Sequence, residues 1–166
     1  MKNLRTTFLC VMTLLSTLFT VAQDNKIPIN EPDHNKPRLF DALPSRIPVS
    51  IIELNAILEA PVGRNASIAL GEATGMRFDG EVVSVATQGE VVSTASQNDV
   101  QVQSVVIRSR NYNGARLTLS RIRKADGTTA FAGRIISFQH GDLYELKNES
   151  GTLVLVKRNY HELVNE

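Results

Sequence analysis

The sequence predicts a small, mainly β protein: an antiparallel β-barrel or β-sandwich of seven to eight strands, with one short N-terminal helix and a C-terminal helical turn. Three observations predict it. From residue 64 onward, short runs rich in Val, Ile and Thr recur every 10 to 14 residues between turn formers. A helical pattern of apolar residues occurs near residue 51, and five of the six prolines crowd into residues 23–48. The length, 166 residues, suits one domain with a buried core.

The first 22 residues read as a secretory signal peptide. Lys2 and Arg5 supply a positive start, an apolar run extends from Phe8 to Val21, and Thr20-Val21-Ala22 forms a small-residue cleavage site. The run is shorter than the roughly 20 residues of a membrane span, so cleavage near Ala22 leaves no transmembrane segment. The expected destination is therefore extracytoplasmic: secreted, periplasmic or in the cell envelope. Cys10, the one cysteine, lies inside this segment behind Leu9, where a lipoprotein cysteine would need a small residue. The mature chain is then cysteine-free, which excludes a disulfide framework and a cysteine nucleophile.

Residues 23–48 form a proline-rich leader or arm, with Pro28, Pro32, Pro37, Pro44 and Pro48. That spacing forbids a helix or a central strand and favours extended backbone. The leader is either a flexible linker or an arm across the domain, anchored by Leu39, Phe40 and Leu43. Residues 49–166 form the single β-rich domain. Ser50-Ile51-Ile52-Glu53 reads as a capping box, and Ile51, Leu54, Ile57 and Leu58 follow at helical spacing until Pro61. One helix over about 50–60 is expected. Strands are placed at 66–72, 76–87, 89–96, 102–110, 115–124, 128–138, 143–147 and 152–157, with a helical turn at 159–164 capped by Asn159. Gly71, Gly75, Gly80 and Gly89 are expected at bulges or turns.

Opposed residues in an antiparallel pair share a face, so alternation tests each turn. A three-residue loop ending at Gly114 sets Ile107 opposite Leu119 and Arg108 opposite Thr118, with Arg110 opposite Arg116. A two-residue Asp126-Gly127 loop pairs Ile122 with Phe131. Leu117 and Leu119 are out of phase with Ile122, which calls for a β-bulge near Ser120-Arg121 and then pairs Leu117 with Ile135. Later turns bring Leu146 beside Ile135 and Leu153 beside Leu146. The inward face of this meander is Ile107, Leu117, Leu119, Ile135, Tyr144, Leu146, Leu153 and Leu155.

The outward face carries Arg108, Arg110, Arg116 and Arg134, the candidate binding residues. Residues 108–134 contain seven basic residues and one acid, Asp126. Like charges directly opposed destabilise a sheet, so solvent, internal carboxylates (Glu81, Glu90, Asp99) or an external anion must relieve them. The far end of that face turns apolar at Ile136, Phe138, Leu143, Val154 and Val156 and needs a cover.

No catalytic residue, metal ligand set or cofactor motif is recognised. His34, His140 and His161 lack ligand spacing, and there is no Gly-x-Ser-x-Gly turn, phosphate loop or Rossmann glycine pattern. The net charge of +1, or −1 after cleavage at Ala22, gives no case for nucleic acid. The expectation is a non-enzymatic binding or accessory protein whose arginine face meets an acidic protein or anionic polymer. A protease-inhibitor or pro-domain-like module and a purely structural envelope protein are the alternatives.

Overall fold

The computed structural model describes residues 36–71, 75–89 and 100–164. The expected signal peptide and most of the leader lie outside them, as does the expected strand at 89–96 from residue 90 on. The elements are β1 (Arg46–Pro48), α1 (Ile51–Glu59), β2 (Asn65–Ala69), β3 (Arg77–Gln88), β4 (Gln101–Ser109), β5 (Arg116–Arg123), β6 (Thr129–Ile136), β7 (Asp142–Glu149), β8 (Thr152–Asn159) and α2 (Tyr160–Val164). All eight strands join one antiparallel sheet in the order β1-β8-β7-β6-β5-β4-β3-β2. The sheet curls into a half-barrel with α1 against its inner face.

Ser50 caps α1, but not through the bonds of the expected capping box. Its hydroxyl accepts from the Ile52 N–H at 3.2 Å, not from Glu53. The Glu53 carboxylate reaches across to Arg77 at 3.1 Å and to the Ala69 N–H at 3.3 Å, tying the helix to β2 and β3. Ala60 is extended, as the residue before a proline prefers, and the helix ends there. Leu54, Ile57 and Leu58 enter the core beside Val82, Val105, Ile107, Leu117 and Leu119. Every residue of the expected inward face is buried.

Residues 36–48 take part in that core. Phe40 is 1% exposed, and its ring lies 5.4 Å from that of Tyr112 and 5.2 Å from that of Tyr144. The buried Asp142 carboxylate accepts the Leu39 and Phe40 N–H groups at 2.7 and 2.8 Å. Lys157 Nζ donates to the Phe40 and Leu43 carbonyls, each at 2.5 Å, and the Tyr144 hydroxyl donates to Pro44 O. Burial, then the neighbouring Asp142 and Tyr112, push the Tyr144 phenol far up, so it stays a donor at any physiological pH. β1 was not expected among the prolines. It is tolerated because it is an edge strand, where a missing N–H costs no ladder bond.

The turns differ from expectation in ways that reset the register. The β4–β5 connection spans five residues rather than three, so Ile107 faces Leu117 and Arg108 faces Arg116. Gly114 holds the left-handed position anticipated for it (φ 69°). At Asp126-Gly127 the loop has three residues, closed by Lys124 N–H to Thr128 O. Arg121 therefore faces Phe131, Ile122 faces Ala130, and no bulge occurs at Ser120. The expected pairing of Leu117 with Ile135 holds. Ile135 faces Tyr144 instead of Leu146, and Leu146 faces Leu155 instead of Leu153. The register shift that does occur lies in β3, between Val82 and Ser84. Gly80, expected at a bulge or turn, is regularly paired with Ser109; a Cβ there would sit 2.6 Å from Ile107 Cγ2. It marks a close approach of β3 to β4.

β6 pairs with β5 along its whole length but with β7 only over Arg134–Ile136. β7 stays with β8 throughout. The sheet is consequently forked, open between Thr129–Gly133 and the C-terminal half of β7. No helix among the described residues is long and apolar enough to cross a membrane.

Candidate functional site: the outward arginine face

Alternation along β3–β7 fixes which side chains point away from α1. On β4 and β5 these are Arg108, Arg116 and Thr118; on β6, Arg134 and Ile136; on β7, Leu143, Glu145 and Lys147. Arg108 and Arg134 thus share a face, though not a row. Arg108 opposes Arg116 instead of the expected Thr118, and Thr118 opposes Arg134. The expected pairing of Arg110 with Arg116 does not occur, because the longer loop puts Arg110 beyond the end of β4, its N–H on Asp79 O at 2.8 Å.

Two carboxylates enter this face, and they divide it. Glu81, on β3 opposite Arg108, is 4.0 Å from that guanidinium and 3.8 Å from that of Arg110. These are loose contacts between groups more than a third exposed, a class of pair worth at most about 1 kcal/mol each. Arg116 has no carboxylate within 4.0 Å among the described residues. At the β7 side, Glu145 gathers three cations: Arg134 at 3.1 Å, Lys147 at 3.3 Å and Arg158 at 3.4 Å. Of the three internal partners expected for the arginines, Glu81 acts as one, while Glu90 and Asp99 lie outside the described residues.

Partial burial pushes the Glu145 carboxyl up, but hydrogen bonds and charge from Lys147 and Arg134 outweigh it and hold it below its ordinary value. A depressed carboxyl contributes stability that is present above the unfolded value and fades as pH falls through the folded one. Glu145→Gln is therefore expected to destabilise the chain at pH 7. The gap from wild type should close progressively below pH 4.5, the ordinary value. Urea denaturation of both chains between about pH 7 and 3 checks this; a gap that stays constant contradicts it.

The sequence reading missed Glu145 because it placed the β6–β7 turn one residue late, which would have set Arg134 against Lys147. The connection occupies residues 137–141, earlier than expected, and within it Ser137 Oγ pairs with His140 Nδ1 at 2.8 Å. Arg121 and Arg123 do not join the outward arginines. Without the expected bulge they point to the α1 side.

Beside the arginines, in the fork between β6 and β7, lies an open recess of about 450 Å³. Thr118, Ser120, Ala132 and Ile136 line it, with Arg134 and Glu145 at its wall. The apolar end of the same face is partly covered. Leu143 and Val154 are buried, and α2 returns past the start of β7 with Tyr160 N–H on Gly141 O at 2.8 Å. Phe138 remains 65% exposed. Hydroxyls, guanidiniums and a shallow apolar floor can bind an acidic surface.

Comparison of the chain with known protein families, with curated proteins and with solved structures finds no match.

Proposed function

We propose that the chain is an exported, non-catalytic binding or accessory protein that sets its outward arginine face against an anionic or acidic partner. The observation that carries this reading is the direct opposition of Arg108 and Arg116, with Arg110 and Arg134 on the same side. Opposed like charges weaken a sheet. Glu81 offsets Arg108 and Arg110 only loosely, and Arg116 has no counter-charge among the described residues. An external carboxylate, sulfate or phosphate relieves that repulsion and gains charge-assisted hydrogen bonds to guanidinium forks. Export rests on the positive start, apolar run and small-residue cleavage site of residues 1–22.

A ligand that binds only the folded state raises the unfolding midpoint by mass action, and an electrostatic one loses that effect as salt screens it. Thermal unfolding of the purified chain with heparin should show a raised midpoint at low salt and a smaller rise at physiological salt. The Arg108→Ala/Arg116→Ala double variant should show neither. A structural envelope role draws on the way Glu145 neutralises Arg134, Lys147 and Arg158 internally. It requires no heparin shift at either salt, and that result would overturn the binding reading.

A further inference from the structure

We propose that the chain carries a second anion site, on the α1 side of the sheet, that takes a small multivalent oxyanion through Arg121 and Arg123. It is independent of the outward face and of any partner bound there.

The three-residue turn at Asp126-Gly127 leaves β5 without a bulge, so Arg121 and Arg123 follow Leu119 onto the inner face. They sit beyond the apolar core, where that face becomes polar with Thr87, Gln101 and Gln103. These five residues line an open recess of about 270 Å³. That is room for a compact ligand.

The half-buried Arg121 is held from two sides by neutral groups. One terminal nitrogen donates to Asn55 Oδ1 on α1 at 2.8 Å, the other to Gln103 Oε1 at 2.6 Å. Gln103 is itself fixed, its Nε2 donating to the Leu58 carbonyl at 2.8 Å. Its carboxamide orientation follows, since only the oxygen end can accept from Arg121. The guanidinium is thereby preorganised by partners that carry no charge, and arginine cannot shed its proton. Among the described residues no carboxylate lies within 4.0 Å of Arg121 or Arg123.

A part-buried cation without counter-charge is costly unless an anion joins it. The donors left over suit an oxyanion: the remaining N–H groups of Arg121, the exposed fork of Arg123, the Gln101 amide and the Thr87 hydroxyl. Guanidinium forks match carboxylate and phosphate oxygens alike, so the shared chemistry is a compact oxyanion. Gln103 and Asn55 act as positioning residues.

The test is isothermal titration of the full chain with citrate and, separately, with inorganic phosphate, alongside NMR of the Arg121 Nε–H and Gln103 side-chain amide. Saturable binding of either probe is expected, with both side-chain signals shifting together. The stronger probe identifies the ligand as carboxylate-based or phosphate-based. Arg123→Gln, which alters an exposed side chain and keeps the Arg121 network, should weaken binding about tenfold or more. Arg108→Ala/Arg116→Ala should leave it unchanged while abolishing any heparin response, so the two sites fail separately. No saturable binding up to about 10 mM of either probe overturns the proposal. So does binding that survives Arg123→Gln, or that disappears in the outward-face double variant.

Discussion

Replacing Asp142 by alanine should cost about 3 kcal/mol or more in urea denaturation, because two charge-assisted hydrogen bonds are lost at once. The carboxylate is 1% exposed and accepts from two consecutive backbone N–H groups, Leu39 and Phe40. Alanine leaves a void and two donors turned into it, with no other acceptor among the described contacts of those amides. Asp142→Asn keeps one acceptor oxygen but sets an amide against the other N–H, so it should fall between wild type and alanine. A loss below about 1 kcal/mol for Asp142→Ala would mean that residues 36–43 find water or another acceptor.

Phe40→Ala should be as damaging, about 3–5 kcal/mol, as expected when a fully buried aromatic is truncated. The ring packs against Tyr112 and Tyr144, and Phe78 stacks on Tyr112 at 6.0 Å. Little around it can collapse into the gap, since Tyr144 is pinned to Pro44 and Tyr112 sits in the Gly114 loop. The two substitutions act on one segment, so the double variant should lose less than the sum. Full additivity in that cycle would show that the carboxylate and the ring hold the segment independently.

The sequence made the inward face legible even where its register arithmetic failed. Setting Ile107 against Leu119 instead of Leu117 is an error of two residues, and a strand's side chains return to the same face every two. The list from Ile107 to Leu155 survived for that reason. The Asp126-Gly127 hairpin was wrong by one residue, and an error of one reverses the face. It turned Ile122 inward and hid the fact that Arg121 and Arg123 face α1. Both mistakes come from loop length, which Gly114 and Gly127 signal only loosely, since glycine serves two-, three- and five-residue loops. At the β7–β8 turn the difficulty is Ser150, a non-glycine residue at φ 51° in a two-residue loop.

Of the candidate site, the sequence placed Arg108, Arg116 and Arg134 on one side and named Glu81 as a partner. It did not foresee Glu145, whose neighbours come from β6, β7 and β8 together. Nor did it show that Asp142 binds the leader, because nothing local marks a carboxylate whose donors lie about a hundred residues away.

The pairing of β1 with β8 sets the order in which the chain can complete itself. Every other strand pairs with a neighbour in sequence, and such contacts form early because little chain entropy is lost in closing them. Ile47 meets Leu155, and Asp142 and Lys157 secure residues 39–43, across more than a hundred residues. A ribosome delivers Phe40 and Ile47 about a hundred residues ahead of Asp142, Lys157 and Leu155. The meander can zip as it emerges, but the core stays open on the Phe40 side until β8 arrives. The contact that closes this side of the core is therefore the one with the longest loop to close, and it locks what the meander has already built.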